Sequence, residues 1–246
     1  MILGLEYPPV ENLVEWPGFY NKIAFIYTLA AVVPAIIFFV AGRQKGLVPR
    51  GTRTIAEVSV EFVEKQVIMP TMGPEGLRYL PVMMSFFLFV FFGNITEVIP
   101  LFHMPGHARM AGPLVIALVV WVYVIAIGVK HNGLHWFKTV LLPPGVPGAL
   151  LPLVAIIEFL SAFFIRPFSH AVRLFANMLA GHILLVTFGV LCIGLWSTKI
   201  FVIVEALTFP GLVIFTAFEI GVSFIQAFVF TILAGVYFGG ALHPEH

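Results

Sequence analysis

The sequence of 246 residues is 60% hydrophobic and only 10% charged, with 13 Lys and Arg against 12 Asp and Glu and a mean hydropathy of +1.04. A soluble domain carries roughly 25% charged residues, so this composition excludes a water-soluble globular protein and indicates an integral membrane protein. The balanced charge argues against nucleic acid as a partner, and the single cysteine, Cys192, excludes an intrachain disulfide and a cysteine-rich metal cluster.

The first membrane span is predicted over residues 23–41, an apolar run long enough to cross a hydrocarbon core of about 30 Å. Residues 1–22 precede it as a segment outside the membrane. A group of basic residues follows the span: Arg43, Lys45, Arg50 and Arg53. Because positive charge accumulates in cytoplasmic loops, this loop is predicted to be cytoplasmic and the amino terminus external.

Residues 56–68 predict an amphipathic helix at the cytoplasmic interface. Valines recur at helical spacing on one side, while acidic residues and Lys65 occupy the other. Residues 80–99 then predict a second span, which ends before Pro100. Residues 113–129 predict a third span that returns to a basic cytoplasmic loop.

Two long segments remain, residues 149–194 and 198–240. A single helix of about 45 residues would extend on the order of 65–70 Å, more than twice the hydrocarbon thickness. Each segment therefore either folds back on itself or forms one long, tilted helix. The scarcity of turn residues at membrane depth favours two long helices, kinked at prolines. The predicted fold is a single all-α membrane domain with about five transmembrane helices and one interfacial helix.

Ionisable residues at membrane depth indicate functional sites, because inserting each one costs about 2.5 to 3.5 kcal/mol. The first long segment carries a polar stripe at helical spacing: Glu158, Arg166, Ser169, His170, Arg173 and Asn177. His182 lies nine residues after Arg173, so it is predicted on the opposite face. The second long segment aligns Glu219 and Gln226, and the second span carries Asn94 and Glu97 near its outer end.

Structural alternatives exist for several of these residues. Arg166 could extend to the membrane interface, and Arg173 could form a salt bridge that fixes two helices. His182 and Glu219 could likewise pair for structural reasons. His103 and His107 are four residues apart, but Pro105 and Gly106 between them argue against a helical metal site. No metal, cofactor or catalytic residue is predicted.

Three runs of residues lie at these positions. One is the second span's Asn94-Ile95-Thr96-Glu97-Val98-Ile99-Pro100. Another is Glu219 followed by Gln226-Ala227-Phe228-Val229-Phe230 in the last helix. The most specific is Arg173-Leu174-Phe175-Ala176-Asn177-Met178-Leu179-Ala180-Gly181-His182. Together the three runs resemble the a subunits of F-type ATP synthases. Some bacterial relatives carry an acid and a histidine in swapped positions where this chain has His182 and Glu219, which suggests that the two side chains meet.

The resemblance implies a non-catalytic subunit of the bacterial plasma membrane that conducts protons to a ring of c subunits, alongside b-type peripheral stalk subunits and the other subunits of the synthase. It implies that Arg173 faces the ring. Asn94, Glu97, Asn177, His182, Glu219 and Gln226 would serve proton translocation, and Glu158, Ser169 and Arg166 would be candidates for an inner half-channel. A proton-coupled secondary transporter or channel remains the alternative function, although no internal repeat is apparent.

Overall fold

The computed structural model describes residues 21–44, 50–99, 106–142, 146–147, 150–196 and 202–243. Within these ranges every regular element is a helix, and five helices are long and apolar enough to cross a membrane. The prediction of an all-α membrane protein with about five spans is thereby confirmed. Of the predicted external segment, residues 1–22, only Asn21 and Lys22 are described, and the first helix already begins at Lys22. The connection between the two long helices, residues 197–201, lies outside the described residues.

Helix α1 spans Lys22–Arg43 and begins after Asn21, whose side chain accepts a hydrogen bond from the Ile23 amide at 3.4 Å. The amphipathic segment follows as helix α2, Thr52–Val63, a π-helical turn, Glu64–Ile68, and helix α3, Met69–Met72. Val63 and Val67 are buried against the bundle and Val60 is partly buried, while the Glu61–Lys65 ion pair lies on the exposed side. The predicted division into an apolar and a charged face is therefore present.

Helix α4 spans Leu80–Ile95 and helix α5 spans Ala111–Asn132, followed by the short helix α6, His135–Leu141. Helix α4 ends four residues before the predicted end of the second span. Its carboxyl end closes with a hydrogen bond from the Thr96 hydroxyl to the Gly93 carbonyl at 2.9 Å, and with a backbone bond from Glu97 to Asn94 at 3.0 Å. These i to i+3 bonds turn the chain out of the helix.

The first long segment comprises helix α7, Leu151–Leu160, a π-helical turn, Ser161–Ile165, and helix α8, Arg166–Trp196. The second is helix α9, Val202–Leu242, which runs through Pro210 without interruption. Both segments are continuous, so neither folds back as a hairpin. At 1.5 Å per residue the 41 residues of α9 extend on the order of 60 Å, which requires a tilt or a projection beyond the hydrocarbon core.

Both π-helical turns immediately precede a residue followed by proline, Pro70 in one case and Pro167 in the other. Proline has no amide N–H, so the carbonyl four residues before it has no helical partner. A wider turn at this point accommodates the missing bond without ending the helix. The sequence predicts a kink at Pro167, and the structure locates the irregularity one turn earlier.

Helix α9 forms the centre of the bundle, where it packs against α4, α5 and α8. The buried core between them is rich in aromatic residues, such as Phe86, Phe230 and Phe238. The outward sides of α1, α5, α7, α8 and α9 expose large apolar side chains. An apolar exterior around a packed interior is what a protein surrounded by lipid requires.

Candidate functional site

Three ionisable side chains gather where the end of α4 meets α8 and α9. We call Glu97, His182 and Glu219 the His–Glu cluster. The His182 Nδ1 atom lies 3.6 Å from Glu97 Oε1, and the side chains of His182 and Glu97 are 20% and 1% exposed. Neither Glu97 oxygen has a hydrogen-bond partner within the described part of the chain. The cluster therefore holds a buried carboxyl group next to a titratable imidazole.

Glu219 reaches the His–Glu cluster from α9 because residue 181 on α8 is a glycine. A Cβ atom on Gly181 would lie only 2.5 Å from Glu219 Oε1, so any larger residue would displace the carboxyl group. The carboxyl groups of Glu219 and Glu97 are close enough to interact electrostatically. The sequence suggests a direct pair between His182 and Glu219. In the structure the carboxylate next to His182 is that of Glu97 instead, and the Glu219 carboxyl group lies against Gly181.

Asn94 is completely buried one turn before Glu97, and its Oδ1 atom lies 2.8 Å from His107 Nδ1. His107 comes from the short 3-10 turn Gly106–Ala108 and is also completely buried. Burial lowers the pKa of His107 to about 3, so its ring is neutral at physiological pH. Sequence reasoning considers His107 only as a poor metal ligand and misses this contact with Asn94. The sequence signal that could have predicted this contact is a histidine shortly after a span that carries Asn94 and Glu97 at its end.

Asn177 and Gln226 join the two long helices further along the bundle. The Asn177 amide donates to Gln226 Oε1 at 3.2 Å, and Gln226 is buried. Ser223, one turn earlier on α9, is also buried. The predicted polar stripe on α9 thus faces α8. Hydrogen bonds of this kind between membrane helices contribute about 0.6 kcal/mol on average, so this one fixes geometry more than it adds stability.

Arg173 lies one turn before Asn177 on α8 but faces outward and is exposed, whereas Asn177 is only partly buried at the edge of the same polar stripe. Small residues surround it at helical spacing on the same exposed side, and these are Ser169, Ala176 and Ala180. Within the described ranges no carboxylate approaches Arg173 to 4 Å. A permanently charged guanidinium on an apolar helix surface is costly unless a partner is supplied.

His170 departs from the predicted polar stripe. Its ring is buried against Phe230, with ring centroids 4.0 Å apart, and also contacts Tyr237. The stripe is wide enough that one edge, including His170, turns toward α9, while Ser169 and Arg173 point outward. His170 therefore belongs to the packing between helices in this arrangement.

Glu158 and Arg166 lie on the other side of Arg173 along the first long segment. Their nearest charged atoms are 3.9 Å apart, and their side chains are 32% and 44% exposed. A partly exposed ion pair at this distance contributes at most about 1 kcal/mol to the free energy of unfolding. Arg166 and His182 are separated by 16 residues, on the order of 24 Å along the helix. Two polar regions thus lie at different depths, with Arg173 between them.

No three His, Cys, Asp or Glu side chains in the described ranges come together as a metal site. His103, considered in the sequence as a possible metal ligand, lies outside those ranges.

Comparison with known proteins gives a consistent result. The family model described as ATP synthase A chain matches residues 23–239. The chain is 38% identical to "ATP synthase subunit a" of Frankia alni over 93% of this chain and 80% of that protein. Proteins with the same description from Rhodopseudomonas palustris (strain HaA2) and Bradyrhizobium diazoefficiens are each 41% identical, covering 93% and 92% of this chain and 90% and 92% of those proteins.

Proposed function

The chain belongs to the ATP synthase A chain family, and we propose that it carries protons to and from a ring of c subunits through two offset half-channels. Family membership makes it a proton-translocating subunit of the F0 membrane sector in a bacterial membrane, part of the ATP synthase complex rather than its catalytic portion. The route of the proton and the role of each residue are our proposal.

One observation supports the proposal above all others. Arg173 is an exposed cation at membrane depth, without a carboxylate within 4 Å in the described part of the chain, and polar regions lie on both sides of it along the helix. A cation in lipid needs an anionic partner. A carboxylate on a neighbouring c subunit satisfies this need, and the small residues around Arg173 leave room for a close approach.

In the proposed mechanism, a proton enters through Asn94, Glu97, His182, Glu219 and Gln226, with Asn177 at the inner end of this group. It neutralises a carboxylate on a c subunit, which then enters the lipid because a neutral carboxyl group is far less costly there than a charged one. After almost a full turn of the ring, the proton leaves through a second half-channel, for which Glu158, Ser169 and Arg166 are the candidates.

Arg173 separates the two half-channels in this mechanism. Its guanidinium stays protonated, so it stabilises the ionised carboxylate of the ring and offers no site through which a proton could pass directly. The electrical part of the driving force is worth about 2.3 kcal/mol per charge per 100 mV. Arg173 thereby couples proton flow to rotation. The b-type peripheral stalk subunits would hold the chain against that rotation.

The proposal is tested by Arg173→Ala in the complete synthase, reconstituted in lipid vesicles with an imposed proton gradient. We expect ATP synthesis to be lost in assembled complexes and passive proton leak to increase, because the electrostatic barrier is gone. Arg50→Ala, which removes an exposed arginine from the first loop, is the matched control. Near-normal ATP synthesis by Arg173→Ala would refute the proposal, and loss of the assembled subunit without leak would indicate a structural salt bridge.

The proposed orientation, with the amino terminus outside and the carboxyl terminus in the cytoplasm, follows from the basic loops. Cysteines introduced by Arg109→Cys and His243→Cys should be labelled from opposite sides of the membrane, position 109 from outside and position 243 from the cytoplasm. The native Cys192 is replaced by serine beforehand, so that the label reports only the introduced thiol. Labelling of position 243 exclusively from outside would contradict the proposed orientation and place the carboxyl terminus outside.

A further inference from the structure

His107 contacts the proposed proton path but is itself too enclosed to carry protons along it. Its ring lies edge-on to Tyr27 of α1 and Phe89 of α4, with centroid distances of 5.4 and 6.2 Å. A Cβ atom on Gly93 would lie 2.4 Å from the ring, so glycine at that position is what lets the imidazole approach α4. The ring is therefore fixed in one place by α1 and α4.

The hydrogen bond between His107 and Asn94 determines the orientation of both groups. An amide oxygen can only accept a hydrogen bond, so His107 Nδ1 carries a hydrogen and donates a hydrogen bond to Asn94 Oδ1 at 2.8 Å. With its oxygen held by His107, Asn94 has its NH2 group free to donate elsewhere. That Nδ2 atom is buried and has no partner within the described residues.

A matching acceptor lies one helical turn away. Glu97 is buried, and both of its carboxylate oxygens are without hydrogen-bond partners in the described ranges. The backbone bond between Glu97 and Asn94, at 3.0 Å, keeps the two residues in this turn. Burying the Asn94 NH2 group and the Glu97 carboxylate without partners would cost folding free energy if both served only to pack the helices. The arrangement therefore points to a transient partner between them, such as a proton or the water that carries it.

We propose that His107 is a positioning residue of the proton path, which holds the Asn94 amide with its oxygen engaged and its NH2 group available to the His–Glu cluster. The inference rests on the proposed function. Because the ring is neutral at physiological pH, it acts as a permanent donor and takes no part in proton transfer itself. Without it the amide of Asn94 could rotate and present its oxygen to Glu97, where two acceptors would oppose each other.

The test uses the complete synthase in vesicles, with proton flux expressed per assembled complex. His107→Phe keeps a flat ring between Tyr27 and Phe89 but removes the donor, and we expect the flux to fall about tenfold, the factor that corresponds to one lost hydrogen bond. His107→Asn retains a donor at the position of Nδ1 and should restore at least half of the parental flux. Tyr27→Phe, which changes the same aromatic group but not this bond, is the matched control and should behave as the parent.

A second measurement separates positioning from packing. If His107 acts through Asn94, His107→Phe should cause no further loss of flux when combined with Asn94→Leu. A role in packing alone would instead reduce the amount of assembled complex and leave flux per complex unchanged, and that result would overturn the inference. Should His107→Phe prevent assembly, His107→Leu makes the same comparison with a smaller side chain.

Glu219→Gln, measured in the same preparation, distinguishes the two levels of proposal. If Glu219→Gln loses flux while His107→Phe retains it, only the role of His107 is wrong. If both variants retain parental flux, the proposed proton path itself is wrong.

Discussion

The two sides of α8 both carry polar side chains at membrane depth, but they differ in whether those side chains have partners within the chain. On the side facing α4 and α9, the partly buried side chains of His182 and Asn177 have partners within the chain, at 3.6 Å and 3.2 Å. On the outward side, Arg173 has no carboxylate within 4 Å in the described ranges. Both sides contain polar groups that are costly at membrane depth, and in the proposed function one set has its partners within the chain while Arg173 has its partner on the ring.

After the loss expected for Arg173→Ala, the next largest effect comes from Arg173→Lys, which keeps the positive charge on the outward side of α8 but changes its chemistry. Lysine lacks the planar fork that engages a carboxylate through two hydrogen bonds, and it can release its proton when desolvated. We expect ATP synthesis to fall at least about 100-fold in assembled complexes. ATP synthesis from an imposed gradient measures the effect, with Arg50→Lys as the control. Activity close to the parent would mean that only a positive charge is required there.

Glu219→Gln tests the buried side. Glutamine preserves size and polarity but cannot titrate, so proton flux should fall about 100-fold, the lower end of what the loss of one proton-transfer group costs. Assembly should be largely unaffected, because a glutamine side chain has the same shape and would still fit over Gly181. Flux as a function of external pH is the measurement, and Glu61→Gln on the exposed amphipathic helix is the control. Full flux at every pH would show that the His–Glu cluster is structural.

Glu158→Gln is expected to have a smaller effect. Its side chain is 32% exposed, so a proton could bypass it, and flux should fall only about two- to fivefold. The reduction should also appear when Arg166 is replaced by alanine, if the two residues act at the same step. Glu57→Gln provides a control at another exposed ion pair. An unchanged flux would leave this pair as a minor structural contact.

The smallest effect concerns the bond between the two long helices. Replacing both Asn177 and Gln226 by leucine removes the 3.2 Å hydrogen bond and leaves neither amide unsatisfied, so the thermal stability of the purified complex should change by no more than about 1 kcal/mol. Asn177→Leu alone leaves a buried Gln226 without its donor and should destabilise more. Equal destabilisation by the single and double variants would indicate that the bond itself has no role.

Local patterns in the sequence predict much of this fold. The spans follow from apolar runs, and the amphipathic helix follows from the alternation of valines with acidic residues. The predicted helix ends are less accurate. Helix α4 ends at Ile95 and not at residue 99, because hydrogen bonds from Thr96 and Glu97 end the helix early. The scarcity of turn residues at membrane depth predicts the two long helices, but it does not predict the position of the π-helical turn before Pro167.

Composition and a helical period of 3.6 residues are enough to predict the membrane environment, the number of spans and the apolar face of each helix. Which polar groups meet depends on how the helices pack. Glu97 and His182 lie far apart in the chain, and His107 reaches Asn94 from a turn without a helical pattern. The orientation of His170 toward α9 likewise depends on how two helices pack. Such contacts follow from the relative placement of helices, which no local pattern specifies.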